Sequence, residues 1–285
     1  MKAFKYKPAN LLLILILWII PARAPAQSFY LNPIYASQFT LQALKPNFNG
    51  PDNTTFTTGA YFLNYQIRLN AAIDLIGDFS LAHFADKGSF GFSSAQTSAG
   101  NPFLGLRVHG RGSHFSGEVG LRIPVVSDSK FVAATVGLVS DFDRFEAFLA
   151  HWLPISANLN YTANLSRDVS LLMKAGGTFQ VNRDKDPFED SSELYLQYAL
   201  GVRQRSRRVQ AMVAFSGRLH VTESNLDFGQ RTFHQLGFSA DLLFRQISPG
   251  VEVRIPLDRD LTTILDFVAG VRVTVPLNSG RKRSR

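Results

Sequence analysis

Between Phe115 and Val126 the chain reads FSGEVGLRIPVV. Phe115, Gly117, Val119, Leu121, Ile123 and Val125 carry no charge, and Ser116, Glu118, Gly120, Arg122 and Pro124 stand between them. A spacing of two is the strand period, so the segment is a ribbon with one apolar and one polar side. The pattern recurs at Tyr61–Leu69, Ile155–Leu165, Val169–Gln180, Glu193–Arg203, Val209–His220, Gln235–Arg245 and Asp266–Val275. A soluble sandwich and a transmembrane barrel both use this pattern.

Strand length separates the two. These segments run to about ten residues, which a tilted strand needs to cross a bilayer, whereas soluble strands average about five or six. The connections also alternate. Short turns are expected at Asn70–Ala72, Gly110–His114, Ser166–Asp168, Gln204–Arg207 and Ile247–Gly250. Longer polar loops are expected at Lys45–Phe56, Asp86–Gly100, Ser127–Trp152, Arg183–Ser192 and Thr222–Arg231, while Asp258–Leu261 is short. That alternation marks an outer-membrane barrel. The expectation is therefore an all-β, antiparallel transmembrane β-barrel of about twelve strands, spanning residues 27–277, with both termini periplasmic.

Two segments fit less well. Residues 27–56 are read either as the first strand, from Phe29 to Leu44, or as a lumen plug, because Pro33 interrupts the alternation. Phe131–Trp152 is apolar for a loop. Phe142, Phe145, Leu149 and Trp152 have helical spacing and predict a short amphipathic helix over the mouth; two further strands, making about fourteen, are the alternative.

The ends of the chain refine this picture. Lys2, Lys5 and Lys7 precede the apolar run Leu11–Ile20, and Ala24 and Ala26 form a small-residue cleavage site. Residues 1–26 are read as a cleaved signal peptide. The chain has no Cys, which excludes thiol catalysis and Cys-based zinc sites. Its net charge is +8. The excess lies in the signal and in the basic tail 278–285, with Arg281, Lys282, Arg283 and Arg285; the body between them is balanced. No nucleic-acid footprint follows from that distribution. Scattered histidines show no metal-ligand spacing, and no cofactor motif occurs.

On the barrel register the charged candidates for the lumen lining are Arg68, Arg107, Glu118, Arg122, Lys174, Arg203, Arg218, Asp241, Arg254, Asp266 and Arg272. Arg107 is expected opposite Glu118, and Arg254 opposite Asp266. Such pairs brace a narrow barrel, whereas arginines without acids would select anions. A mid-bilayer Arg on the lipid side would cost about 2–4 kcal/mol, which assigns these positions to the inside. Arg245 falls on the same register.

The phrases NPFLGLRV (Asn101–Val108) and SPGVEVRIPLDRDLTTILDFVAGVRVTVPL (Ser248–Leu277) resemble bacterial outer-membrane β-barrels, and more specifically transporters of aromatic-compound (phenol meta-pathway) degradation. The resemblance implies a passive pore or uptake channel for small solutes, apolar or aromatic among them. It also implies outer-membrane lipid and the barrel-assembly machinery as partners. Many such barrels end on an aromatic residue that this machinery reads; this strand ends at Val275-Pro276-Leu277. A non-conducting structural or adhesive barrel and a membrane-embedded lipid hydrolase are the alternatives. His109, Ser113 and His114 form the one cluster tempting as a hydrolase site, and they lie in an expected turn without an evident acid. No enzymatic activity is expected.

Overall fold

The computed structural model describes residues 37–49, 53–87, 94–110, 114–184, 191–223 and 227–277. The signal peptide, the basic tail, Ser113 and the segment around Pro33 lie outside them. The strands are β1 (Gln38–Phe48), β2 (Gly59–Arg68), β3 (Ile73–Ala85), β4 (Ala95–Ala99), β5 (Phe103–His109), β6 (Phe115–Arg122), β7 (Trp152–Asn164), β8 (Val169–Asn182), β9 (Ser192–Arg205), β10 (Val209–His220), β11 (Thr232–Leu242), β12 (Ser248–Pro256) and β13 (Leu265–Pro276). Every pairing is antiparallel, and β2 pairs with both β1 and β3, so the sheet closes on itself. Closure leaves no unpaired edge for lipid to meet.

β4 and β5 occupy one place in the wall. β3 pairs with β4 through residues 81–85 and with β5 through residues 73–78. The break between them is Gly100-Asn101-Pro102. The barrel is thus twelve-stranded, with one strand in two pieces. The first strand is Gln38–Phe48, which extends into the segment expected as the first loop.

Short turns gather at one end, where Leu277 N–H donates to the Ser37 carbonyl at 2.7 Å. This is the turn end; the longer connections form the loop end. Leu41, Leu63, Val119, Leu159, Met173, Val213, Phe238 and Val271 are exposed on the outside. Their neighbours in sequence point inward, because the strand period leaves no third option. Most are polar, as Gln42, Asn158, Lys174 and Arg272 are, but Phe62 and the group Leu172, Ala199, Met212 and Ala214 are apolar. One interruption is local. In β13 the pairing slips between Asn47–Phe267 and Phe48–Leu265, so Asp266 bulges out and Leu265 turns in. A bulge adds one residue and reverses the alternation beyond it.

The connection from β6 to β7 does not form two more strands, and it does not stand above the mouth. It holds a helix, α1 (Phe131–Ser140), and a 3₁₀ segment, Phe142–Phe148. The helix is not the one expected around Phe142 and Trp152: it lies upstream, Phe142 and Phe145 fall on the 3₁₀ segment, and Trp152 opens β7. α1 is apolar on most sides, so it needs a buried place. It finds one inside the barrel. Ala134, Ala147 and Phe148 pack with Val126 against Leu44, Ala60, Phe62, Ala82, Leu265 and Val268 of the wall. Gly137 permits this, since a Cβ there would lie 2.4 Å from the Phe148 ring.

Asn101, in the break of the fourth strand, holds the inserted segment at both ends. Its Oδ1 accepts from Val125 N–H at 2.7 Å and Val126 N–H at 3.1 Å. Its Nδ2 donates to the carbonyls of Glu146 at 3.0 Å and Leu149 at 2.7 Å. Its backbone N–H donates to the Ala147 carbonyl, and its carbonyl accepts from Arg122. The side chain is fully buried and makes all four of its bonds. Asn101→Ala strands these partners and is expected to lower stability by about 3 kcal/mol or more. Urea unfolding with protease cleavage within residues 123–151 checks this: cleavage is expected to appear while the wall still resists unfolding in detergent.

Candidate functional site in the lumen

The wall charges form linked groups, each set by strand register. β5 and β6 place Arg107 across from Glu118, and the guanidinium reaches the carboxylate at 2.5 Å. Lys174 of β8 meets the same carboxylate at 3.1 Å. Arg122 grips Asp78 at 2.8 and 2.9 Å. Arg272 is held by Asp241, with Nε at 2.6 Å, and reaches Glu252 at 3.2 Å. Near the turn end Asp74 gathers Arg68 at 3.2 Å, Gln66 at 2.7 Å and His109 at 2.7 Å.

The inserted segment completes the pairing. Arg254 finds Asp141 of the insert at 2.6 Å, with Glu252 at 3.7 Å. Arg218 finds Glu146 of the insert at 2.5 Å and lies over the Phe145 ring at 4.7 Å. In return Arg144 of the insert bonds Gln42 at 2.6 Å and Asn64 at 2.7 Å, and lies 3.7 Å above the Phe62 ring. Arg203 donates to Ser170 at 3.4 Å. Arg107, Arg122, Lys174, Arg203, Arg218, Asp241, Glu252, Arg254 and Arg272 are each no more than 8% exposed. In this state the lumen is a packed polar core and not a wide water path.

Two candidates sit elsewhere. Asp266, at the bulge, is exposed and accepts from Asn47 at 3.2 Å, so it cannot serve Arg254. Arg245 is exposed in the turn after β11. Arg68 points inward but is exposed at the rim. His109 and His114, tempting together in the sequence, have separate surroundings: His109 bonds Asp74 inside the barrel, while His114 packs edge-on against Tyr161. His151 has a positive φ of 64° and bonds Asp128 at 2.6 Å. It fastens the exit of the insert to its start.

The acids of the insert were not foreseen. They were legible as DFDRFE, yet nothing local tells an acidic loop in water from one folded inward. Burial would raise Asp141, but Arg144 and Arg254 beside it hold its carboxyl below the usual carboxylate value. Asp143 goes the other way, raised by burial and by the charge of Asp141.

Rings gather at the loop end. Phe142 stacks on Phe233 at 6.4 Å, Phe145 meets Tyr195 at 5.2 Å, and Tyr195 stacks on His220 at 4.4 Å. A second polar cluster lies on the outer face near the same end. His234 Nδ1 bonds Asp258 at 2.9 Å, and its Nε2 bonds the Tyr198 hydroxyl at 2.6 Å. Both rings lie on Gly217, where a Cβ would come within 2.7 Å of Tyr198. No group of three metal-ligating side chains occurs among the described residues.

Solved structures share this architecture. An outer membrane channel from Pseudomonas putida F1 superposes with a TM-score of 0.57 at 9% identity, covering 89% of this chain and 100% of that one. The NanC porin gives 0.52 at 6% identity, over 84% of this chain and 100% of that one. LpxR from Salmonella typhimurium gives 0.50 at 9% identity, over 84% and 99%. No family model and no curated protein sequence matches. By fold, the chain is a twelve-stranded outer-membrane β-barrel.

The two aspartates give the insert opposed pH responses. The lowered Asp141 contributes stability present above the unfolded value of about 4 and lost as pH falls through its lower folded value. The raised Asp143 contributes stability present below about 4 and lost as pH rises through its higher folded value. Asp143→Asn is therefore expected to raise the urea midpoint at pH 7 and to change it least near pH 4. Midpoints of both proteins between pH 4 and pH 9 check the sign.

Proposed function

We propose that the protein is an outer-membrane channel for small solutes, closed here by residues 123–151. The observation that carries this reading is a tether of two ion pairs and a charged hydrogen bond. The insert is fixed to distant strands through Arg254–Asp141, Arg218–Glu146 and Arg144–Gln42, while Arg107–Glu118, Arg122–Asp78 and Arg272–Asp241 lie within the wall. Withdrawal of the insert would leave those wall pairs intact and a polar lumen behind. The porin and channel folds among its structural neighbours support the same reading. Both termini would then be periplasmic and the longer loops external.

An apolar or aromatic solute is the finer reading. The resemblance to transporters of aromatic degradation supports it, as do the rings at the loop end, Phe142, Phe145, Tyr195 and Phe233. A lipid hydrolase is the second reading, favoured by one feature. Tyr198, His234 and Asp258 form a hydrogen-bonded relay on the lipid-facing side. Ester hydrolysis that disappears in Tyr198→Phe would decide for it.

Bilayer conductance tests the channel. Full-length mature protein is expected to show rare, small openings. Replacement of residues 128–149 by a Gly-Ser linker is expected to give a large, steady conductance. A variant that inserts, keeps its folded barrel and stays silent would refute the channel.

A further inference from the structure

Three neighbouring turns at the turn end carry exposed arginines. Arg167 lies between β7 and β8, Arg207 and Arg208 lie between β9 and β10, and Arg245 lies between β11 and β12. The turns touch through backbone bonds: Arg205 N–H donates to the Asp168 carbonyl at 2.7 Å, and Leu243 N–H donates to the Arg208 carbonyl at 2.8 Å. The four arginines therefore form one arc. Asp168 is the sole acid in these turns. None of the four arginines takes part in an ion pair among the described residues. The loop end differs, with acids and bases alternating, as in Asp258-Arg259-Asp260.

The arc sits at the edge of the apolar band. Leu165 is 62% exposed, Leu242 49% and Phe244 54%, all within or beside the same turns. Chain at that level leaves the hydrocarbon, and the first groups it meets are lipid headgroups. All four residues are arginine. The guanidinium presents paired donors that match two phosphate oxygens, which an ammonium cannot do.

We infer that this arc is a binding surface for anionic phospholipid headgroups in the leaflet at the turn end. Each guanidinium donates to phosphate oxygens, while Leu165, Leu242 and Phe244 lie against the acyl chains below. The surface is independent of whether the lumen conducts. It gives the barrel a lipid preference on one arc of its circumference, from β7 to β12.

The test uses full-length mature protein in vesicles of three parts phosphatidylcholine to one part phosphatidylglycerol. Spin-labelled analogues of both lipids report the fraction immobilised at the protein surface. A basic residue at a membrane surface favours an anionic lipid by roughly fivefold, so several shared over a mobile shell predict enrichment of about threefold or more. The fourfold variant Arg167→Gln, Arg207→Gln, Arg208→Gln and Arg245→Gln should bring enrichment towards one, as should half-molar salt. The control variant Lys87→Gln, Lys130→Gln, Arg183→Gln and Arg259→Gln removes the same charge from the loop end and should keep the preference. Equal loss in both variants would mean that only net charge matters, and would overturn the inference, as would no loss in the arc variant. Heat-shifted migration in detergent gels confirms that each variant keeps its barrel.

Discussion

A charge on the inner wall of a membrane barrel has one place to find a partner. Lipid on the outside offers none, and the strand period fixes which residues face inward. Everything in the lumen follows from that restriction. Arg254 shares its strand with Glu252, which Arg272 already engages, and Arg218 lies on a strand without an acid; the chain answers them with Asp141 and Glu146 from the insert. The insert is thus complementary in sign to the wall it occupies. Its apolar half obeys the same rule, since α1 packs only where Leu44, Phe62, Leu265 and Val268 make a dry patch. Such buried pairs give modest net stability, yet removing one member costs about 3–5 kcal/mol. Geometry, more than strength, is what they supply.

Much of the barrel was legible because the relevant signal is local. Alternation at Val169–Gln180 or Glu193–Arg203 states the face of every residue, and β8 and β9 follow it without interruption. The twelve-strand count could be read from turn chemistry and strand length. Asp266 was misplaced because a bulge leaves no mark in the alternation until the partner strand is known. The pairing of Arg107 with Glu118 needed only a hairpin. The pairing of Arg254 with Asp141 needed the tertiary path of a loop, which no sequence period encodes.

The insert was the hardest element to read, for a physical reason. Its apolar helix and its acidic stretch point to different environments, membrane or core for the first and water for the second. Only an enclosed polar lumen satisfies both. Asn101 carries the same lesson in one residue. In sequence it is a turn former before proline; in the fold it substitutes for missing strand pairing with four side-chain bonds.

That residue also bears on how the molecule assembles. Its side-chain partners lie 24 to 48 positions along the chain, whereas the seam between β1 and β13 joins residues more than 200 positions apart, as Thr40 and Thr274 show. Closing short loops takes less entropy than closing long ones and happens sooner. The insert can therefore dock on β3 to β6 while the sheet is still an open ribbon, and the seam then closes around a lumen already filled. In that order of events the barrel is raised around its contents, as a cask around a form, and the last strand pairing seals in a segment that need not be threaded through the mouth.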